Sequence, residues 1–196
     1  IGKTKTYVGV MRIHKDISEN ELKKQMKEFV GEITQLPPVK SRVKRQERQR
    51  QVYAFEIIEI DKKDSKNILF KAEVEAGTYI RKLCFDLGQR IGGAHMLELR
   101  RIKASIFNEK DSHTLFEVLE VIEEYKKGNE KKLRDILIPG EIISQVLPVI
   151  EISDKTYINK LYHGSPLFKE KVDKKSLTNL NLKENDKVAL FNKDNF

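Results

Sequence analysis

The sequence holds 196 residues, 39% apolar and 35% charged, enough to bury the core of one large domain, or of one domain plus a small one, beneath a heavily charged surface. Lys and Arg number 38 against 30 Asp and Glu, and the resulting net charge of +8 favours a polyanionic partner, most simply nucleic acid. No apolar run approaches the ~18–20 residues of a membrane span, no signal-peptide pattern opens the chain, and a single cysteine excludes an intramolecular disulfide and points to a cytoplasmic setting.

Residues 5–13 read as a strand from their β-branched and aromatic content. Ser18 and Glu21 then form a capping-box pattern, and Leu22, Met26, Phe29 and Val30 lie on one helical face, with Gly31 as the expected stop. Residues 34–50 contain Pro37-Pro38 and almost no apolar periodicity, which predicts a long exposed loop. Two strands, 51–60 and 68–75, flank a polar turn and predict an antiparallel hairpin. Gly77-Thr78 breaks the second strand. Ile80, Leu83, Leu87 and Ile91 predict a helix over 79–91, ended by Gly92-Gly93. A strand-like run covers 97–107. Thr114 and Glu117 repeat the capping signal before an amphipathic helix that runs to Gly128. Pro139 and Pro148 bracket a boundary, after which a strand at 149–152, a short helix from Asp154 and a run at 187–191 follow. The alternation predicts an α+β fold with a small second unit after about residue 146.

Three stretches carry chemistry. Residues 40–50 hold Lys40, Arg42, Lys44, Arg45, Arg48 and Arg50 against the single acid Glu47, a run that can track a phosphate backbone. Charge alone is equally compatible with a solvated loop, although Pro37-Pro38 stiffens its base. In Glu75-Ala76-Gly77-Thr78-Tyr79-Ile80-Arg81 a strand ends and a helix opens, setting Tyr79 and Arg81 where they can face a cleft. Arg can hold a carboxylate in a two-pronged pair, and Tyr can stack on a base or move a proton; a Tyr and an Arg at a helix start are also common as structural residues. Gly92-Gly93-Ala94-His95-Met96 with Leu99-Arg100-Arg101 adds glycines and positive charge. His14, His95, His113 and His163 lie scattered, with no ligand spacing for a metal. Cys84 reads as a core thiol.

These blocks resemble the RNA pseudouridine synthases of the TruB/dyskerin group. The resemblance rests on Lys5-Thr6-Tyr7-Val8, on Gly31-Glu32-Ile33-x-Gln35-x-Pro37-Pro38-Val39-Lys40-Ser41, on Val43-Lys44-Arg45, on residues 76–83 and on Gly93-Ala94-His95-Met96-x-Glu98-Leu99-Arg100-Arg101. The wording is closest to the archaeal member that works with H/ACA guide RNAs. Residues 147–191 resemble a PUA domain, with Leu147-Pro148-x-Ile150 opening it and His163-Gly164 in the expected place.

The resemblance implies a mixed, mostly antiparallel sheet over 1–140, with a thumb loop at about 35–51, followed by a truncated PUA-like RNA-binding domain over 147–196. It implies isomerisation of uridine to pseudouridine in rRNA or tRNA without cofactor or metal, in company with guide RNA, target RNA and other H/ACA ribonucleoprotein proteins, and no membrane. Tyr7 would stack on the flipped uracil, Tyr79 would stand near its C5, Arg81 would orient the nucleophilic aspartate, and Leu99 would line the pocket. Lys40, Arg42, Lys44, Arg45, Arg48 and Arg50, with His163 and Gly164, would bind RNA.

The chain departs from the family in one respect that bears on chemistry. The nucleophilic aspartate of the family stands in a Gly-x-Leu-Asp-Pro-like motif upstream of the Lys-x-x-x-Tyr strand, and no Asp here is followed by Pro. The expectation is a chain that starts just after that segment, binds RNA, and forms no pseudouridine by itself. The turn 91–94 is also about one residue shorter than the family's. A non-catalytic RNA-binding or assembly module and an unrelated basic ribosome-associated protein are the other readings.

Overall fold

The structure, a computed structural model, describes residues 4–37, 43–152, 154–172, 180, 182–183 and 185–192, without the side chains of 155 and 169. It divides the chain into two compact units, 1–112 and 113–196. The change of domain expected at 140–147 lies inside the second of these.

The first unit is a six-stranded sheet with both helices on one face. Its strands are β1 (Lys5–Ile13), β2 (Gly31–Gln35), β3 (Arg48–Ile60), β4 (Asn67–Val74), β5 (Ala94–Ala104) and β6 (Phe107–Asn108). Their order is β2-β3-β4-β1-β5-β6, and every pairing is antiparallel. Odd-numbered β1 residues pair with even-numbered β4 residues, so Tyr7, Met11 and Ile13 share a face with Ile68, Phe70, Ala72 and Val74. That face is the core. Phe55 meets Phe70 edge to face, with centroids 5.5 Å apart, an arrangement that contributes about 0.5–1.5 kcal/mol beyond area burial.

Helix α1 (Glu19–Lys27) starts where Ser18 accepts the Glu21 N–H at 3.3 Å, and it buries Leu22 and Met26. Gly31 does not stop it; the helix ends at Glu28, and Gly31 opens β2. The loop expected over 34–50 is correspondingly shorter. Thr34-Gln35 and Arg48–Arg50 belong to a β2/β3 ribbon whose sequence, Arg-Gln-Arg-Gln, has no apolar alternation to reveal it.

Helix α2 (Ile80–Ile91) buries Ile80, Leu83, Cys84, Leu87, Gly88 and Ile91 along one stripe and ends on Gly92. A Cβ added at Gly88 would stand 2.2 Å from the Ala94 nitrogen, so the missing side chain is what lets α2 lie on the first turn of β5.

In the second unit, Thr114 and Glu117 form a full capping box for α3 (Leu115–Lys126), which pairs with α4 (Lys131–Ile136). Strands β7 (Val149–Glu151) and β8 (Ala189–Phe191) pair in parallel. Helix α5 (Lys155–Tyr162) is capped by Asp154, and Ile150, Ile152, Tyr157, Val172, Ala189 and Phe191 are its unit's buried apolar side chains among the described residues.

Candidate active site

Strand β4 ends at Val74, and five residues, Glu75–Tyr79, turn the chain into α2. Glu75 is tied to β3 at two points: its N–H donates to Gln51 O at 2.8 Å, and its carboxylate accepts the Gln51 N–H at 3.1 Å. Thr78, buried, donates its hydroxyl to Glu75 O at 2.8 Å. Gly77 adopts φ +88°, a left-handed conformation that favours glycine, and its missing side chain leaves space for Arg50, whose Nε and Nη2 would lie 3.3 Å from a Cβ there. The turn delivers Tyr79 as the half-buried residue that precedes α2, with Arg81 exposed in the first helical turn.

One residue that sequence reasoning used only as part of a motif proves central to this geometry. Gln35, the last residue of β2, is 2% exposed. Its Oε1 accepts the Tyr79 N–H at 2.9 Å and its Nε2 donates to Tyr79 O at 3.2 Å. A primary amide thus satisfies both polar groups of one peptide residue, as a neighbouring strand would. Nothing in the local sequence marks it, because its partner is a main chain 44 residues away.

Tyr7 and Leu99 reach the same face by register. Tyr7 pairs with Ala72 in β4 and Arg101 in β5; two residues on, Gly9 pairs with Phe70 and Leu99. Tyr7, Leu99 and Arg101 therefore share the core face of the sheet, near the end where β4 stops and Tyr79 begins α2. Tyr7 packs at the margin of the core and Leu99 is exposed.

The basic residues divide into two kinds. Lys44 and Arg45 are exposed on the loop. Arg48 and Arg50 are half-buried strand residues, rather than loop residues, and their Nε atoms are buried without a hydrogen-bond partner. Arg50 Nη1 donates to Gln49 O at 2.9 Å and lies 3.9 Å from the Glu75 carboxylate. Lys40 and Arg42 lie outside the described residues.

His163 and Gly164 belong to the second unit, where both are exposed just after α5; His163 Nδ1 lies 2.6 Å from Asn159 O. Asp86, a carboxylate near Arg81 in sequence, is paired with Lys82. Among the described residues no group of three or more His, Cys, Asp or Glu is placed to hold a metal ion, and no helix is long and apolar enough to cross a membrane.

Comparison with known proteins agrees with this architecture. Residues 3–80 match the TruB family pseudouridylate synthase N-terminal domain, and residues 81–144 match the tRNA pseudouridylate synthase B C-terminal domain. The chain belongs to the TruB family of pseudouridylate synthases. It is 44% identical over 165 residues to a probable tRNA pseudouridine synthase B of Methanopyrus kandleri, covering 83% of this chain and 48% of that protein. It is 40% identical over 190 residues to its Archaeoglobus fulgidus counterpart, covering 96% and 56%. Among solved structures it resembles a chain of a Cbf5-Nop10-Gar1 complex, with a TM-score of 0.85 and 35% identity over 99% of this chain and 58% of that one. It also resembles one from an H/ACA RNP bound to a substrate RNA containing 2'-deoxyuridine, with a TM-score of 0.80 and 32% identity over 99% and 57%. The chain thus spans about half the length of the relatives it matches.

Proposed function

We propose that this chain supplies the uridine-handling part of a pseudouridine synthase that works within an H/ACA guide ribonucleoprotein, in the cytoplasm, on rRNA or tRNA. The observation that carries this reading is the Glu75–Arg81 turn, which sets Tyr79 and Arg81 at the end of the sheet whose core face also bears Tyr7 and Leu99. The likeness to one chain of a Cbf5-Nop10-Gar1 complex and to one of an H/ACA RNP bound to a substrate RNA supports the choice of partners.

Pseudouridine formation detaches uracil from C1′ of its ribose and rejoins it through C5. The target base must leave its stack, at a cost of a few kcal/mol when it starts paired. Tyr7 stacks on the extruded uracil, Leu99 closes the pocket wall, and Tyr79 stands by C5 for the proton step. Arg81, exposed and one helical residue beyond Ile80, pairs with the nucleophilic carboxylate and orients it. No cofactor or metal takes part. Lys40, Arg42, Lys44, Arg45, Arg48 and Arg50 track target RNA, while residues 147–196, with His163 and Gly164, act as a PUA-like grip on guide RNA or a tRNA end.

The test is tritium release from 5-tritiated uridine in a guide-matched RNA, using the complete gene product with H/ACA proteins, with and without guide RNA. Guide-dependent release supports the reading. Release that needs no guide would assign a stand-alone tRNA enzyme, in line with the names of the relatives from Methanopyrus kandleri and Archaeoglobus fulgidus. RNA binding with no release under any condition would assign a non-catalytic assembly module.

A further inference from the structure

We propose that Gln35 is a positioning residue for Tyr79, joining the end of β2 to the opening of α2 through one side chain. The inference deepens the reading of Tyr79 given above, and rests on it.

Three observations carry it. First, the Gln35 amide holds both main-chain polar groups of Tyr79, at 2.9 and 3.2 Å, across a sequence separation of 44 residues. Second, Gln35 is buried and is the last residue of β2, so the chain passes directly from it into the loop. Third, the far side of the loop is fastened to the same turn. Arg48 is the register partner of Gln35, Arg50 lies against Gly77, and Gln51 exchanges hydrogen bonds with Glu75. Both stems of the basic loop therefore end on the segment that aims Tyr79.

Side-chain packing alone would not require this arrangement. A buried amide costs free energy unless its groups are satisfied, and an apolar residue would fill the space. The amide instead gives the Tyr79 N–H an acceptor and adds a second donor at Tyr79 O, which also accepts the Leu83 N–H at 3.0 Å as α2 opens. The residue that caps the start of α2 is thereby fixed in position on its loop side as well, as a proton-transfer group must be.

The experiment compares wild type with Gln35→Met, which fills similar space with no hydrogen bond, and with Gln35→Glu, whose carboxylate still accepts the Tyr79 N–H but cannot donate to Tyr79 O. In the 196-residue chain labelled with 3-fluorotyrosine, and assigned with Tyr79→Phe and Tyr53→Phe, the Tyr79 fluorine resonance should shift or broaden in Gln35→Met, less so in Gln35→Glu, while the resonance of Tyr53, in β3 of the same unit, stays in place as a control for folding. In the complete gene product, kcat for pseudouridine formation should fall about 100-fold in Gln35→Met, as for a misplaced catalytic group, with KM for RNA within about threefold of wild type. Gln35→Glu should fall between.

An unmoved Tyr79 resonance with wild-type kcat would overturn the proposal. So would a loss confined to RNA affinity, or one that merely follows loss of folded protein in both variants. Should wild type itself form no pseudouridine, the proposed function fails while the fluorine measurement still decides the role of Gln35.

Discussion

Gly88 and Ala94 are in main-chain contact: no side chain separates the last turn of α2 from the start of β5. The Gly88 carbonyl also accepts the Gly93 N–H at 2.7 Å, which closes the turn between helix and strand. Position 88 thus fixes the height of α2 above the sheet, and Tyr79 and Arg81 ride on the other end of that helix.

Gly88→Ala is expected to lower stability by about 1–3 kcal/mol through overpacking, despite the better helix propensity of Ala. Urea unfolding followed by far-UV circular dichroism measures it. Equal or higher stability would show that α2 can lift without strain.

Lys44 and Arg45 are exposed, whereas Arg50 is engaged at the Gly77 turn. Lys44→Ala and Arg45→Ala should each weaken RNA binding uniformly across sequences and reduce the slope of log K against log salt by about 1. Arg50→Ala should weaken RNA binding as well and, unlike the other two, also lower thermal stability. Filter-binding titrations at several salt concentrations, with melting curves beside them, separate the two outcomes; an unchanged slope in the first two variants would make Lys44 and Arg45 no more than a solvated surface.

Tyr79→Phe keeps the main-chain bonds to Gln35 and removes only the hydroxyl. Turnover in the complete gene product is expected to fall about 10²–10⁴-fold, the usual contribution of a proton-transfer group, with RNA affinity changed less than about twofold. Asp86→Asn should leave turnover intact. Asp86 is held by Lys82 and stands about 140° around the helix from Arg81. A Tyr79→Phe protein as active as wild type would remove Tyr79 from the chemistry, and an inactive Asp86→Asn protein would bring Asp86 into it.

In the second unit the Tyr157 N–H, followed by the Lys171 ammonium and the Thr156 N–H, holds the Asp154 carboxyl below its usual range. A folded-state pKa below the unfolded value means that the cap stabilises α5 above the ordinary carboxylate range, about 4. That contribution is lost as pH falls through the lowered folded value. Asp154→Asn, which can still accept the cap bonds, should flatten the acid side of the stability profile of α5. Amide exchange at Ile158 and Leu161 between pH 3 and 6 checks this; a variant with the wild-type profile would show that other carboxylates set the acid limit.

Much of the first unit was legible because one face of each element is apolar. Met11 and Ile13 in β1, Leu22 and Met26 in α1, and the stripe from Ile80 to Ile91 announce their elements by period. The β2/β3 ribbon was not legible, because Arg48-Gln49-Arg50-Gln51 pairs through main-chain groups and its side chains do not alternate. The basic stretch consequently read as one continuous loop. Tyr79, Arg81, Tyr7 and Leu99 could be singled out from their blocks, and the register accounts for how two of them come to share a face. The role of Gln35 depends on a pairing with a distant main chain, which local pattern does not encode. Likewise Gly88 could be read as a helix interior weakened by glycine, and only its neighbour Ala94 explains it.

Cys84 sits on the buried stripe of α2 with no exposed surface, and burial pushes its thiol pKa up to about 12. In the folded chain almost none of it is thiolate at neutral pH, and no alkylating reagent can reach it. Because the sequence contains no second thiol, the rate at which the protein takes up such a reagent clocks the lifting of α2 from the sheet. The molecule thus carries its own reporter, set between the helix that bears Tyr79 and Arg81 and the strands beneath it. Comparing that rate with and without RNA would reveal whether substrate tightens the helix onto its bed or loosens it.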